Sequence, residues 1–128
     1  MKSMEPIHWK TEISVAGKRA LELKRIGPAN GGLVVEVEEE SGKSWRLEFE
    51  SVQAWKVTSE ECAESIISVL PLEGAMFVIE RSDWLRQLGD ATPLQKSQHF
   101  LICCYDEVVE VLAWDCSVIA AEIAMPVR

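Results

Sequence analysis

The stretch HFLICCYDEVVEVLAWDC, residues 99–116, gathers the residue types that do chemistry: one of the chain's two histidines, three of its four cysteines and four carboxylates. Thiolate with imidazole is a common zinc donor set, and a thiol beside an imidazole is a common nucleophilic pair. Either use requires the side chains to converge on one point, and the elements that carry them decide whether they do. HFLICCY and VVEVLAW read as two strands reversing at Asp106-Glu107. In that hairpin Cys103 faces Glu110, Leu101 faces Leu112 and His99 faces Trp114. One face collects Phe100, Ile102, Cys104, Val109, Val111 and Ala113 and is expected to be core. The other collects His99, Leu101, Cys103, Tyr105, Val108, Glu110, Leu112 and Trp114, a mixed set. Asp-Glu is not a favoured two-residue turn, so a longer loop with a shifted register is the alternative.

The strand geometry argues against both chemistries. His99 and Cys103 stand about 13 Å apart along one strand at ~3.3 Å per residue, whereas each zinc ligand lies within about 2.3 Å of its ion. Cys103 and Cys104 point to opposite faces. A carboxylate beside Cys103 would raise the thiol pKa rather than activate it. The four cysteines, at 62, 103, 104 and 116, form no CxxC pair and read as reduced, packed residues. No HExxH, EF-hand or Ser-His-Asp spacing occurs, and GPANGG (27–32) lacks the Lys and Ser/Thr of a phosphate loop. No catalytic residue, metal or cofactor is assigned on these grounds.

The 128 residues suit a single globular domain spanning 1–128. Apolar residues make up 48% and charged residues 27%, within the ordinary range for globular proteins. The start MKSMEPIHWK has no apolar signal region and no run approaches the ~20 residues of a membrane span, so the expected location is the cytoplasm. With 21 acidic against 13 basic residues the net charge is −8. That balance argues against a nucleic-acid partner and against an anionic membrane surface, and it permits a basic protein partner.

Along the chain, HWKTEISV (8–15) alternates Trp9, Thr11, Ile13 and Val15 with polar residues and predicts a strand. Residues 16–18 predict a turn, RALELKRI (19–26) a second strand and GPANGG a loop. LVVEVEEESGKSWRLEFE (33–50) predicts a hairpin with Glu40-Ser41-Gly42 as a three-residue loop. Its register pairs Leu33 with Phe49, Val35 with Leu47 and Val37 with Trp45 inward, and Glu36 with Arg46 and Val34 with Glu48 outward. VQAWKV (52–57) predicts a fifth strand, or a continuation of the fourth across a bend at Ser51. After Ser59, EECAESIISVL predicts a helix, with a strand as competitor because of its β-branched residues. GAMFVIE (74–80) predicts a strand, SDWLRQLG (82–89) a short capped helix and 90–98 a loop.

The run HFLICCYDEVVEVLA, with SDWLRQLG upstream, resembles the C-terminal half of small uncharacterised bacterial proteins of similar length. They share a histidine–aromatic start, a DE or DN turn and an EVxA-type return strand, a structural motif that carries over no activity. Small acidic bacterial domains of this kind are often inhibitors or immunity proteins paired with a toxin, an analogy of type.

The expected architecture is α+β: a predominantly antiparallel sheet of seven to nine strands, curled or partly closed into a barrel, with two short helices. The expected function is a non-enzymatic protein-binding domain, an inhibitor or immunity-type protein for a basic partner. Glu36, Glu38, Glu40, Glu48 and Glu50 on the outward side of the 33–50 hairpin, where Glu39 also falls, would form the docking surface, with Trp55, Tyr105 and Trp114 as aromatic anchors. The alternatives are a barrel-like protein holding a small apolar ligand, with His99, Tyr105 and Trp114 at its mouth, and a thiol or metal enzyme on Cys103, Cys104 and His99.

Overall fold

The hairpin over 33–50 forms in the predicted register. In the computed structural model, which describes residues 5–13, 15 and 17–121, β3 (Gly32–Glu39) pairs with β4 (Ser44–Glu50), Leu33 opposite Phe49, Val35 opposite Leu47 and Val37 opposite Trp45. Gly42 closes the loop at φ 96°, a conformation only glycine adopts without strain, and its N–H donates to the Glu39 carbonyl at 2.8 Å. Upstream, β2 (Leu21–Ala29) pairs with β3 through Asn30-Gly31, whose φ values of 51° and 80° make a tight hairpin turn. The predicted loop over 27–32 is therefore mostly strand. Pro28 is tolerated because β2 is an edge strand with no neighbour needing its missing N–H. Gly32 is required because any Cβ there would collide with the Phe49 carbonyl oxygen.

The remaining strands are β1 (Glu5–His8), β5 (Ala54–Ser59), β6 (Met76–Glu80), β7 (Gln98–Cys103), β8 (Glu107–Ala113) and β9 (Asp115–Ala121). They correct the expectation of one curled or partly closed sheet. The nine described strands form two open antiparallel sheets, in the orders β1-β6-β7-β8-β5 and β2-β3-β4-β9. Two ribbons change sheet at a shared corner: β4 runs into β5 past Ser51 (φ 54°), and β8 runs into β9 past Trp114. Gln53 N–H to the Leu112 carbonyl (2.7 Å) and Trp114 N–H to the Glu50 carbonyl (3.1 Å) tie the corner. Strand alternation reports which face is buried but not where a ribbon turns into a second layer, so a single curled sheet and two layers look alike in sequence.

Side chains from both sheets fill the space between them: Leu33, Val35, Val37, Trp45, Leu47 and Phe49 from one, Met76, Phe100, Ile102, Val109, Val111 and Ala113 from the other. The opposite face of the five-stranded sheet carries Phe77, Ile79, Leu101, Cys103 and Val108 beneath Ala63, Ile66, Ile67 and Leu70.

Three local expectations also change. The predicted strand over 8–15 ends its pairing early: β1 stops at His8, and the Thr11 hydroxyl accepts the Ile13 N–H at 3.0 Å. Burial still alternates, with Trp9, Thr11 and Ile13 turned inward and Lys10 and Glu12 exposed, so the pattern recorded burial rather than pairing. Ser14 and Ala16 lie outside the described residues. The helix predicted after Ser59 is a 3₁₀ turn over 60–62 followed by α1 (Glu64–Ile67), and the Ser59 side chain makes no capping bond. Finally, α2 (Asp83–Leu88) forms as predicted, but the loop after it contains α3 (Thr92–Gln95), with Pro93 in its first turn, so the described helices number three rather than two. A single turn is too short to show a helical period. Among the described residues no helix is long and apolar enough to cross a membrane.

Candidate functional site

The β7–β8 hairpin adopts the longer loop. His99 opposes Leu112, Leu101 opposes Glu110 and Cys103 opposes Val108, a two-residue slip from the tight-turn register. Cys104 N–H bonds the Glu107 carbonyl at 2.8 Å, and Tyr105 N–H bonds the Leu21 carbonyl at 2.7 Å, fixing the loop to β2. A slip of two leaves every side chain on its predicted face but gives it new neighbours. Glu110 thus leaves Cys103 and lies diagonal to His99.

The consequence is a buried polar chain that the sequence did not announce. His99 Nε2 lies 2.8 Å from Glu110 Oε1, and His99 Nδ1 lies 2.7 Å from Ser82 Oγ. Ser82 Oγ also accepts the Leu85 N–H at 3.1 Å as the N-cap of α2. Exposure is 5% for Ser82 and 2% for both His99 and Glu110. Ser82 Oγ accepts from Leu85 and still has its O–H to offer to Nδ1, an arrangement in which Nε2–H donates to Glu110. Serine, histidine and carboxylate recur in hydrolase triads, but there the serine sits on Nε2 and the carboxylate on Nδ1. Here that order is reversed and the serine is occupied and enclosed, with the Trp84 ring edge-on to His99 at 5.5 Å. The chain fastens α2 to the sheet. Lys56, opposite Glu110 on β5, places its ammonium over the Trp84 ring at 4.2 Å.

Neither histidine nitrogen of His99 bonds a sulfur; Cys103 and Cys104 are buried on opposite sides of the sheet. Burial raises the pKa of Cys103, and burial with neighbouring Glu107 or Asp115 raises Cys104 and Cys116 far above the ordinary thiol range. Among the described residues no three His, Cys, Asp or Glu side chains are placed to hold one metal ion. Alkylation of the native chain should therefore modify exposed Cys62 first and half-buried Cys116 more slowly, with buried Cys103 and Cys104 reacting only on unfolding, as peptide mass spectrometry would read.

The predicted docking residues separate into two groups. On the outer face of the four-stranded sheet, Glu36 binds Arg25 (3.0 Å) and Arg46 (3.5 Å), and Glu48 lies 3.7 Å from Arg46. The Arg25 hydrogen bond holds the Glu36 carboxyl below its usual pKa. Glu50 sits opposite Asp115 at the corner. This face is a lattice of alternating charge. Trp114 is committed elsewhere: its indole N–H donates to the Pro93 carbonyl at 3.0 Å and Lys96 covers its ring. Trp55 lies on β5, 43% exposed. His99, Tyr105 and Trp114 do not form a common mouth, since His99 is buried and the other two occupy the loop and the corner.

Glu38, Glu40 and Tyr105 do meet. They line an open cleft of about 270 Å³ together with Arg19, Ala20, Leu21, Glu22 and Glu39. Glu39 accepts the Trp45 indole N–H at 2.7 Å, and Lys24 approaches Glu38 at 3.5 Å. Arg19 lies over the Tyr105 ring at 4.4 Å and pairs with Glu60. Burial, with Asp106 and Glu22 as like charges nearby, raises the pKa of Glu107 beside this cleft. Arg19 and Glu22 were missing from the sequence-level site because the β2–β3 ladder and the loop contact to Leu21, both long-range, bring them there. No family model, curated protein or solved structure matches the chain.

Proposed function

We propose that this chain is a non-enzymatic binding domain that docks a basic segment of a protein partner in the cleft beside Tyr105, as an inhibitor or immunity-type protein would. The observation that carries the reading is the convergence of Glu22, Glu38, Glu39 and Glu40 around one concavity with an exposed aromatic ring. Its cations, Arg19 and Lys24, are held by Glu60, Glu22 and Glu38, while Asp106 and Glu107 add negative potential at the rim. A lysine or arginine side chain entering there finds carboxylate partners and the Tyr105 ring, which favours cations on its face. The outer sheet face supports this role less well, because Arg25 and Arg46 pair its Glu36 and Glu48, whereas at the cleft Glu22 and Glu38 share Lys24 and, among the described residues, no cation pairs with Glu40. In this reading the protein works in the cytoplasm, where its thiols stay reduced.

The experiment is calorimetric titration with an arginine- and lysine-rich peptide at low and at high ionic strength. Binding at low salt should weaken about tenfold or more at high salt, and Glu22→Gln with Glu40→Gln should weaken it about as much, whereas Glu50→Gln should not. Absence of binding at low salt, or binding indifferent to salt and to the cleft substitutions, would refute the reading.

A further inference from the structure

Of the four strands at the sheet edges, β5 and β9 (seven residues, no proline, one charge at Asp115) lack the protection that β1 and β2 carry. β1 has four residues, and β2 carries Pro28 and an irregularity between Leu23 and Arg25. β5 has six residues, no proline and a single charge, Lys56. Its N-terminal irregularity, Gln53 N–H on the Leu112 carbonyl, lies before the strand, and the ladder from Ala54 to Ser59 is unbroken. Among the described residues no strand pairs with its outer side. An edge of this kind is a template for another strand.

The hydrogen-bond parity of β5 shows what it offers. Glu60 N–H donates to the Asp106 carbonyl at 2.8 Å in the continuation of the β5–β8 register, so even-numbered residues turn their N–H and C=O toward β8. Those of Trp55, Val57 and Ser59 turn outward. Trp55 and Val57 lie opposite Val111 and Val109 and share their face, yet the other sheet does not cover them: they remain 43% and 39% exposed.

We propose that a second copy of this chain docks on β5, forming a two-fold antiparallel ladder centred on Val57 and joining two five-stranded sheets into one of ten. Self-complementarity of the strand selects the occupant, and the placement of Lys56 selects the register. A two-fold ladder must centre on one residue of β5. Centring on Lys56 sets two ammonium groups directly opposite each other, and centring on Thr58 runs the pairing into the 3₁₀ turn that begins at Glu60. Centring on Val57 keeps the pairing within residues 55–59, sets Lys56, which lies over the Trp84 ring, opposite the second copy's Thr58, and brings it diagonally toward the second copy's Glu60, which Arg19 already pairs. On the other face Trp55 and Val57 of both copies form one apolar stripe, so the surface complements itself, as a two-fold interface must. The proposal does not depend on the cleft beside Tyr105.

Sedimentation equilibrium across a concentration series tests it. The wild-type chain should show a reversible monomer–dimer equilibrium. Val57→Pro removes a donor that faces outward and none that serves β8, so it should leave the monomer's thermal unfolding intact while weakening the dimer at least tenfold. Thr58→Lys, which sets a lysine against Lys56 of the opposite copy in each of two symmetric pairs, should weaken it, and Thr58→Glu should tighten it. If Val57→Pro fails to fold, the opposite signs of the Thr58 pair decide. A wild-type chain that stays monomeric throughout, or a dimer whose dissociation constant ignores these substitutions, would overturn the proposal.

Discussion

His99→Ala is expected to destabilise the fold by about 3–5 kcal/mol, the range for leaving a buried carboxylate without the partner that compensates it. Glu110 is 2% exposed, and its Oε2 has no hydrogen-bond partner among the described residues, so His99 supplies its one bond. Without the imidazole a buried carboxylate is left between Leu101 on β7 and Lys56 on β5, whose ammonium is turned to the Trp84 ring, and Ser82 loses its partner on Nδ1. The double variant His99→Leu with Glu110→Leu removes both polar groups and should recover most of the loss, because replacing both hydrogen-bond partners by apolar groups of similar shape is often nearly neutral. Urea unfolding of the two single variants and the double variant gives the coupling directly. A single-variant loss under about 1 kcal/mol would mean that the polar chain does not hold α2 to the sheet.

Phe100→Ala should cost a similar amount, about 3–5 kcal/mol, by opening a cavity between the sheets. Phe100 is 3% exposed, and its ring meets Trp9 at 4.8 Å and Phe49 edge-on at 5.3 Å. The three come from the segment after β1, from β4 and from β7, so they join both sheets and the irregular segment that covers them. Collapse around the gap is limited because Phe49 is itself anchored in the β4 ladder. Trp55→Ala deletes a larger ring but from an exposed edge, and in the monomer should change stability by no more than about 0.5 kcal/mol. Equal losses at the two positions would contradict the placement of the core.

Much of the sheet structure was legible because a half-buried strand writes its faces at period 2. The β3–β4 register followed from matching apolar and charged pairs around Gly42, and the core face of β7 and β8 from Phe100, Ile102, Val109 and Val111. What escaped was long-range. The corner at Ser51 and Trp114 leaves no periodic signal, so two layers read as one curled sheet. Asn30-Gly31 was a strong hairpin signal, obscured because Pro28 made the preceding residues look like loop. The binding residues split for a related reason: Glu36 and Glu48 looked acidic in isolation, but Arg25 on β2 neutralises one and Arg46 lies near both. The cleft needed Arg19 and Glu22, which share no spacing with Tyr105. Ser82 and His99 are likewise joined only because α2 folds over β7, and the two-residue slip then hands Glu110 to His99.

The docking role is tested most directly by residue-resolved amide shifts during titration with an arginine- and lysine-rich peptide at low ionic strength. Saturable changes should concentrate at Glu22, Glu38, Glu39, Glu40 and Tyr105, leaving Arg46 and Glu48 on the outer face still. Shifts spread along β4 and β9 with the cleft silent, or no saturable shift at all, would contradict a binding site at Tyr105.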